Sequence, residues 1–199
     1  LHLLSRRQRQ MCIRDRNKTY KFWFCTGSQD LYGDECLRKV AEHSAKMVEA
    51  LNASDKIEYE IVLKPTLISQ ASIRQTLNDA NNDPECAGVI TWCHTFSPAK
   101  MWILGLKEFK KPLCHLHTQF NEELPYDTID MDFMNENQSA HGDREYGHIV
   151  SRMGIEREII VGHWANEKVQ ERIGSWMTTA IGVIESSHIR VCRFGDNMN

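Results

Sequence analysis

The feature that most constrains this fold is an alternation of short apolar runs with segments of helical periodicity. Lys21–Thr26 and Ala87–Cys93 are mostly apolar runs of strand length, as expected for strands buried on both faces. Asp34–Leu51 and Asn166–Ile184 instead place apolar residues three and four positions apart, the spacing of an amphipathic helix. Because strands alternate with helices, we expect an α/β fold: a Rossmann-like parallel sheet flanked by helices.

Shorter segments complete this alternation. Further strands are predicted at Tyr59–Leu63, Leu113–His117 and Ile159–Val161. Further helices are predicted from Ser69 to about Asn82, from Met101 to Phe109 and from Ser139 to Met153. Ser69 and Ser97 are expected to cap the helices that follow them. Thr118–Met134 is expected to be irregular, and Ile189–Phe194 to start another strand.

The composition argues against two classes of partner. The net charge of the 199 residues is −3, so there is no electrostatic reason to expect nucleic acid or an anionic membrane. No apolar run approaches the roughly 18 residues that a transmembrane helix needs. The seven cysteines are odd in number and include no CxxC pair, which favours free thiols in a reducing cytoplasm. We therefore expect a soluble cytoplasmic protein.

The first sixteen residues differ from the rest. Residues 1–16 read LHLLSRRQRQMCIRDR, with five arginines and one aspartate, and lack the apolar segment of a signal peptide. The string is similar to translated read-through of a sequencing adapter. We therefore expect a non-native leader, with the folded chain beginning near Asn17. A disordered basic tail is the alternative.

The polar stretch Asp130–Tyr146 is the main candidate for a functional site. Its amides, carboxylates, imidazole and guanidinium suit a polyhydroxy ligand, whose hydroxyls each need a donor or acceptor. Gly27–Gly33 is a loop that opens a helix after a buried strand, a place where α/β sheets bind ligands. It lacks a nucleotide-binding glycine pattern. A sugar fits these groups better than a phosphate.

Several other constellations have two interpretations. His94, His115 and His117 are either a metal cluster or hydrogen-bonded histidines, and no acidic partner lies at a clear ligand spacing. Asp130 and Asp132 are either an acid–base pair or partners of loop backbone. Cys25 and Cys93 lack an evident base, so nucleophilic catalysis has little support.

One group of residues converges better. Gln29 and Phe96 follow predicted strands, and Gln138 and His141 lie at the start of a predicted helix. We expect these four side chains to meet over one edge of the sheet, as amide and imidazole groups beside an aromatic wall.

Five motifs in order resemble the L-arabinose isomerase family. They are Gly27–Gly33, His94–Trp102, His117–Asn121, Asp130–Tyr146 and Arg193–Met198. The resemblance covers everything after the leader, from about residue 17 to residue 199. It implies an N-terminal fragment: a first α/β domain at 17–188 and the start of a second domain at 189–199. Asn199 departs from the family, which usually has arginine there.

The resemblance implies an aldose–ketose isomerase of L-arabinose catabolism, which interconverts L-arabinose and L-ribulose in the cytoplasm. In this family Mn²⁺ is held by two glutamates and two histidines, and two glutamates move the proton through an enediol. Those residues lie beyond residue 199, so the resemblance assigns no catalytic or metal-binding residue to this chain and implies that it is inactive alone.

What the resemblance does assign is a set of substrate-binding positions. The family assembles as a homohexamer, and its first domain lines the pocket of an adjacent subunit. The matched positions are Gln29, Leu31, Tyr32, Phe96, Gln138, His141 and Met198. The alternatives are a related isomerase of the fucose isomerase type and a non-catalytic sugar-binding domain.

Overall fold

Five parallel strands form the centre of the fold. The computed structural model describes residues 20–192 and 194–195. The strands are β1 (Lys21–Gly27), β2 (Glu60–Leu63), β3 (Cys86–Cys93), β4 (Leu113–His117) and β5 (Glu158–Val161). They lie in the order β2-β1-β3-β4-β5, and every neighbouring pair is parallel. The predicted α/β fold with a parallel sheet is confirmed.

Six helices connect or follow these strands. They are α1 (Gly33–Ala53), α2 (Gln70–Asn82), α3 (Ile103–Glu108), α4 (Met131–Glu136), α5 (Ser139–Arg152) and α6 (Glu167–Ser187). Short 3-10 turns at Asp30–Tyr32 and Ala99–Met101 precede α1 and α3. Within the ranges that the structure describes, no helix is both long and apolar enough to cross a membrane.

The helices cover both faces of the sheet, because side chains along each strand alternate between two cores. Phe22 and Phe24 of β1 point into one core, with apolar residues of α1 and α6. Trp23 and Cys25 point into the other, with residues of α2, α3 and α5. All eight residues of β3 are buried, so the central strand is apolar throughout, as a strand covered on both faces must be.

Local signals explain where several helices begin. Ser69 forms a capping box with Ser72: each backbone N donates to the other residue's hydroxyl, at 3.1 Å. The expected cap at Ser69 is thus confirmed. Asp130 accepts a 2.8 Å hydrogen bond from the backbone N of Phe133 and so caps α4. Of its two predicted roles, the structure shows the backbone-bonding one.

Three expectations for local structure are wrong. Ser97 does not cap a helix; its Oγ accepts a 3.0 Å hydrogen bond from the indole Nε1 of Trp102 instead. The stretch 118–134 is not irregular throughout, because the Asp130 cap starts α4 within it. The strand expected at Ile189–Phe194 is not formed over residues 189–192 and 194–195. Those residues are exposed and lie beside no partner strand, and a strand is stable only when its backbone groups are paired.

Candidate functional site

The site lies at the carboxyl edge of the sheet, where the strand order changes direction between β1 and β3. This switch point is where open α/β sheets place their ligands. The loops after the two strands are tied together, because the buried hydroxyls of Ser28 and Thr95 lie 2.6 Å apart. A Cβ on Gly27 would lie 2.7 Å from the Trp102 ring, so only glycine allows this close packing.

Phe96 and His141 form the contact at the centre of the predicted site. Their ring centroids are 4.7 Å apart with planes inclined by 36°. Phe96 is half-buried after β3, whereas His141 is exposed in the first turn of α5. Gln138 precedes that turn, and its Nε2 donates to Oδ1 of Asn135 at 3.2 Å. The structure thus brings Phe96 and His141 into contact, with Gln138 immediately before the same helical turn.

The segment after β1 reaches the same edge, but within the described ranges no side-chain hydrogen bond or ring contact joins it to Phe96 or His141. Gln29 and Tyr32 are half-buried, and Leu31 is 83% exposed. Their neighbour Ser28 ties this segment to the loop of Phe96 through the hydrogen bond between the Ser28 and Thr95 hydroxyls. Met198 lies outside the described residues. The assignment of all seven positions as sugar contacts stays a prediction.

A groove of about 1140 Å³ opens beside His141 and Gln138. It is lined by the first turn of α5, the end of β4, the loop 121–124 and Gly162–His163, among others. Gln29 and Phe96 are not among its lining residues. Gln138 and His141 therefore both line the groove, and His141 also contacts Phe96 at the switch point.

Asp143 is the main residue that the sequence analysis missed. It is the acidic partner of the strand histidines: Oδ1 lies 2.7 Å from His115 Nε2, and Oδ2 lies 3.2 Å from His117 Nδ1. A signal was available in the sequence, because Asp143 shares a helical face with Ser139, Tyr146 and Val150 and is buried with them. A carboxylate on the buried face of a helix needs partners.

The electrostatics leave a buried carboxylate beside a neutral imidazole. Burial would raise the pKa of Asp143, but the hydrogen bonds from His115 and His117 outweigh it and lower that pKa. Burial lowers the pKa of His115 despite Asp143. Since an ionised carboxylate only accepts, His115 carries its proton on Nε2, and its Nδ1 accepts from Thr91 Oγ1, 2.8 Å away.

Cys93, His115 and Asp143 lie close enough together to be considered as metal ligands. Both ring nitrogens of His115 are already hydrogen-bonded, to Thr91 and to Asp143. Burial, and then Asp143, raise the pKa of the Cys93 thiol, which disfavours the thiolate that a metal needs. For His115, the geometry supports the hydrogen-bonded interpretation.

The third histidine pairs elsewhere. His94 is fully buried, stacks on Trp92 at 4.6 Å and places Nε2 2.7 Å from Nδ1 of His43. His43 in turn stacks on Phe120, with ring centroids 3.7 Å apart. The Nδ1 atom of His94 is buried and, in the described part of the chain, has no hydrogen-bond partner outside its own residue.

Together, the fold and this edge define a doubly wound α/β domain with amide, imidazole and aromatic groups at the carboxyl edge of its sheet. Residues 16–188 match the family model described as the L-arabinose isomerase N-terminal domain, and the chain belongs to that family. The family resemblance seen in the sequence is thereby confirmed.

Several relatives share this similarity. The L-arabinose isomerase of Halalkalibacterium halodurans is 60% identical over 183 residues, which are 92% of this chain and 37% of that protein. That of Geobacillus thermodenitrificans is 56% identical over 181 residues, 91% of this chain and 36% of the relative. That of Bacillus subtilis is 55% identical over 183 residues, 92% and 37% of the two chains. This chain thus spans little more than a third of their length.

Proposed function

We propose that this chain provides the substrate-facing first domain of an L-arabinose isomerase, which interconverts L-arabinose and L-ribulose. The observation that supports this most is the Phe96–His141 contact, with Gln138 beside it, at the switch point of the sheet. Amide and imidazole groups can each donate to or accept from a sugar hydroxyl. The Phe96 ring holds the imidazole from one side and leaves its exposed face open to a ligand.

This chain's part in the reaction is binding and orientation. Gln138 and His141 would hold hydroxyls of the open-chain sugar, with Gln29, Leu31 and Tyr32 completing the wall from the β1 loop. Met198 belongs to the same predicted set. Such contacts lower the barrier by fixing the reacting carbons relative to the acid–base groups.

The Mn²⁺ that the family uses does not fit the residues described here. Among them, the set Cys93–His115–Asp143 is the candidate ligand group. Its histidine is fully engaged and its thiol is a soft ligand, whereas Mn²⁺ prefers carboxylate, carbonyl and water oxygens. We therefore assign the metal and the proton-transferring glutamates to the portion of the relatives that this chain does not match.

We further propose a cytoplasmic homohexamer. The six cysteines within the described ranges are all free thiols, which suits a reducing compartment. Leu31, Tyr126 and Met131 are 83%, 81% and 67% exposed. Large exposed apolar side chains of this kind would be covered if another subunit docked on this part of the surface, in keeping with a pocket shared between subunits.

The decisive experiment replaces the matching segment of the Bacillus subtilis relative with residues 20–188 of this chain. In this chimera, His141→Ala should lower kcat/KM for L-arabinose by about tenfold, which corresponds to roughly 1.4 kcal/mol, with bound manganese unchanged. His148→Ala is the matched control, because His148 is an exposed histidine of the same helix. Loss of manganese in the His141 variant, or equal activity of the two variants, would contradict the assignment.

Two further measurements separate the rival functions. Parallel assays of the chimera on L-arabinose, D-galactose and L-fucose should favour L-arabinose; a clear preference for L-fucose would favour the fucose isomerase type. Calorimetric titration of the 199-residue chain with L-arabinose should show no micromolar binding, because His141 and Leu31 are exposed without the rest of a pocket. Micromolar binding would instead indicate a free-standing sugar-binding domain.

A further inference from the structure

We propose that Asp143 is a positioning residue for sugar binding. Its carboxylate clamps the first turn of α5 to β4 and so fixes the orientation of Gln138 and His141. This inference rests on the proposed function and extends it to a residue that does not itself face the sugar. Asp143 is 5% exposed and lies two residues after His141.

The clamp binds two strand residues through one carboxylate. His115 reaches Oδ1 at 2.7 Å and His117 reaches Oδ2 at 3.2 Å. The same helix also contacts His115 through Tyr146, whose ring stacks on the imidazole with 4.2 Å between the ring centroids. Since each oxygen is held by a different histidine, turning or sliding α5 would break both hydrogen bonds together.

The rest of the first turn is seated on β3 with little freedom. Ser139 Oγ lies 3.1 Å from the backbone O of His94 and 3.2 Å from Oε1 of Gln119. A Cβ on Gly142 would lie 3.2 Å from the Cβ of Cys93. These contacts fix how closely the turn packs against β3, whereas the hydrogen bonds of Asp143 fix the rotation of α5 about its own axis.

The clamp also fixes one tautomer. With the carboxylate ionised, His117 donates from Nδ1, and in the tautomer that does so Nε2 carries no proton. That Nε2 atom is buried and has no hydrogen-bond partner among the described residues. Folded proteins leave a buried acceptor unpaired more often than a buried N–H. The tautomer of His117 therefore reports on the state of the clamp.

The test uses three variants of the chimera. Asp143→Ala removes both hydrogen bonds and should raise KM for L-arabinose by at least about tenfold, with a smaller effect on kcat. An effect of this size is reasonable, because a misplacement of ~1 Å can cost roughly a hundredfold in rate. Asp143→Asn can bond both histidines only if one of them changes tautomer, because an amide accepts through its oxygen and donates through its nitrogen. It should raise KM about threefold, because neutral hydrogen bonds are weaker. Val150→Ala removes core volume from the same helix, away from the clamp, and should lower the thermal midpoint but leave KM within about twofold.

Each outcome decides one statement. A parental KM in Asp143→Ala, or an equal rise in Val150→Ala, would overturn the positioning role. If Asp143→Ala does not fold, a parental KM in Asp143→Asn overturns it instead. Long-range ¹H–¹⁵N spectra should show His115 protonated on Nε2 and His117 on Nδ1 in the parent. In Asp143→Asn, either His115 should move its proton to Nδ1 or His117 should move its proton to Nε2. If His141→Ala alone keeps parental kcat/KM, the proposed function fails, and the tautomer result then decides the clamp.

Discussion

His94 is expected to make this protein sensitive to mild acid. Its Nε2 lies 2.7 Å from His43, and protonation would place a buried N–H on Nδ1. Burial, and then the neighbouring His43, lower the pKa of His94 from 6.5 to about 3. Because the pKa of His94 is lower in the folded than in the unfolded chain, its contribution to the free energy of unfolding is fully present above pH 6.5. That contribution is lost as the pH falls towards 3.

The magnitude follows from the difference between the two pKa values. Below pH 6.5 the imidazole of His94 binds a proton in the unfolded chain but not in the folded one. The free energy of unfolding therefore falls by roughly 1.4 kcal/mol for each pH unit. Between pH 7 and pH 5, His94 should therefore remove about 2 kcal/mol from the free energy of unfolding. Burial also lowers the pKa values of His43 and His115, so the total loss should be larger.

Urea unfolding followed by circular dichroism at pH 7 and pH 5 measures this loss. His94→Phe keeps an aromatic ring on Trp92 but cannot be protonated, so its loss should be about 2 kcal/mol smaller than that of the parent. His148→Phe serves as the control at an exposed position and should keep the parental pH dependence. An identical pH dependence in the parent and His94→Phe would refute the reasoning.

Three further predictions concern stability and binding. Gly174→Ala should destabilise the chain by about 1–3 kcal/mol, because the added Cβ would overlap the backbone O of Lys56. Gly182 lies on the same helix with open space around it, so Gly182→Ala should stabilise the chain by about 0.5–1 kcal/mol. Urea unfolding compares the two variants. Ser69→Ala should lose the capping box and about 1 kcal/mol in the same assay. Leu31→Ser should change the free energy of unfolding by no more than about 0.5 kcal/mol, because Leu31 is exposed, yet raise KM for L-arabinose in the chimera.

The fold was largely predictable because its signals are local. Buried parallel strands are continuous apolar runs, and β4 was found at its observed bounds, Leu113–His117. Helix α2 begins after the serine that was expected to cap it. These features depend on residues a few positions apart, which a sequence shows directly.

The site was less predictable because its key pairings are distant along the chain. The alternation of His115 and His117 places both on one face, but the partner that makes them a unit lies 28 residues after His115. Ser97 looked like a cap, yet the indole of Trp102 competes for its hydroxyl in the folded chain. Both outcomes are set by tertiary packing, which overrides local preference.

The loop at residues 122–129 adds a practical consequence. Its hydrogen bonds are local, from Tyr126 to Leu124 and from Thr128 to Pro125, and most of its residues are exposed. The first turn of α5 is instead held from the sheet, through Ser139 and Asp143. This loop can therefore be changed without moving the first turn of α5. Laboratory evolution of a new sugar preference should succeed most readily through length and sequence changes in this loop, since such changes leave the anchored histidine and glutamine where they are.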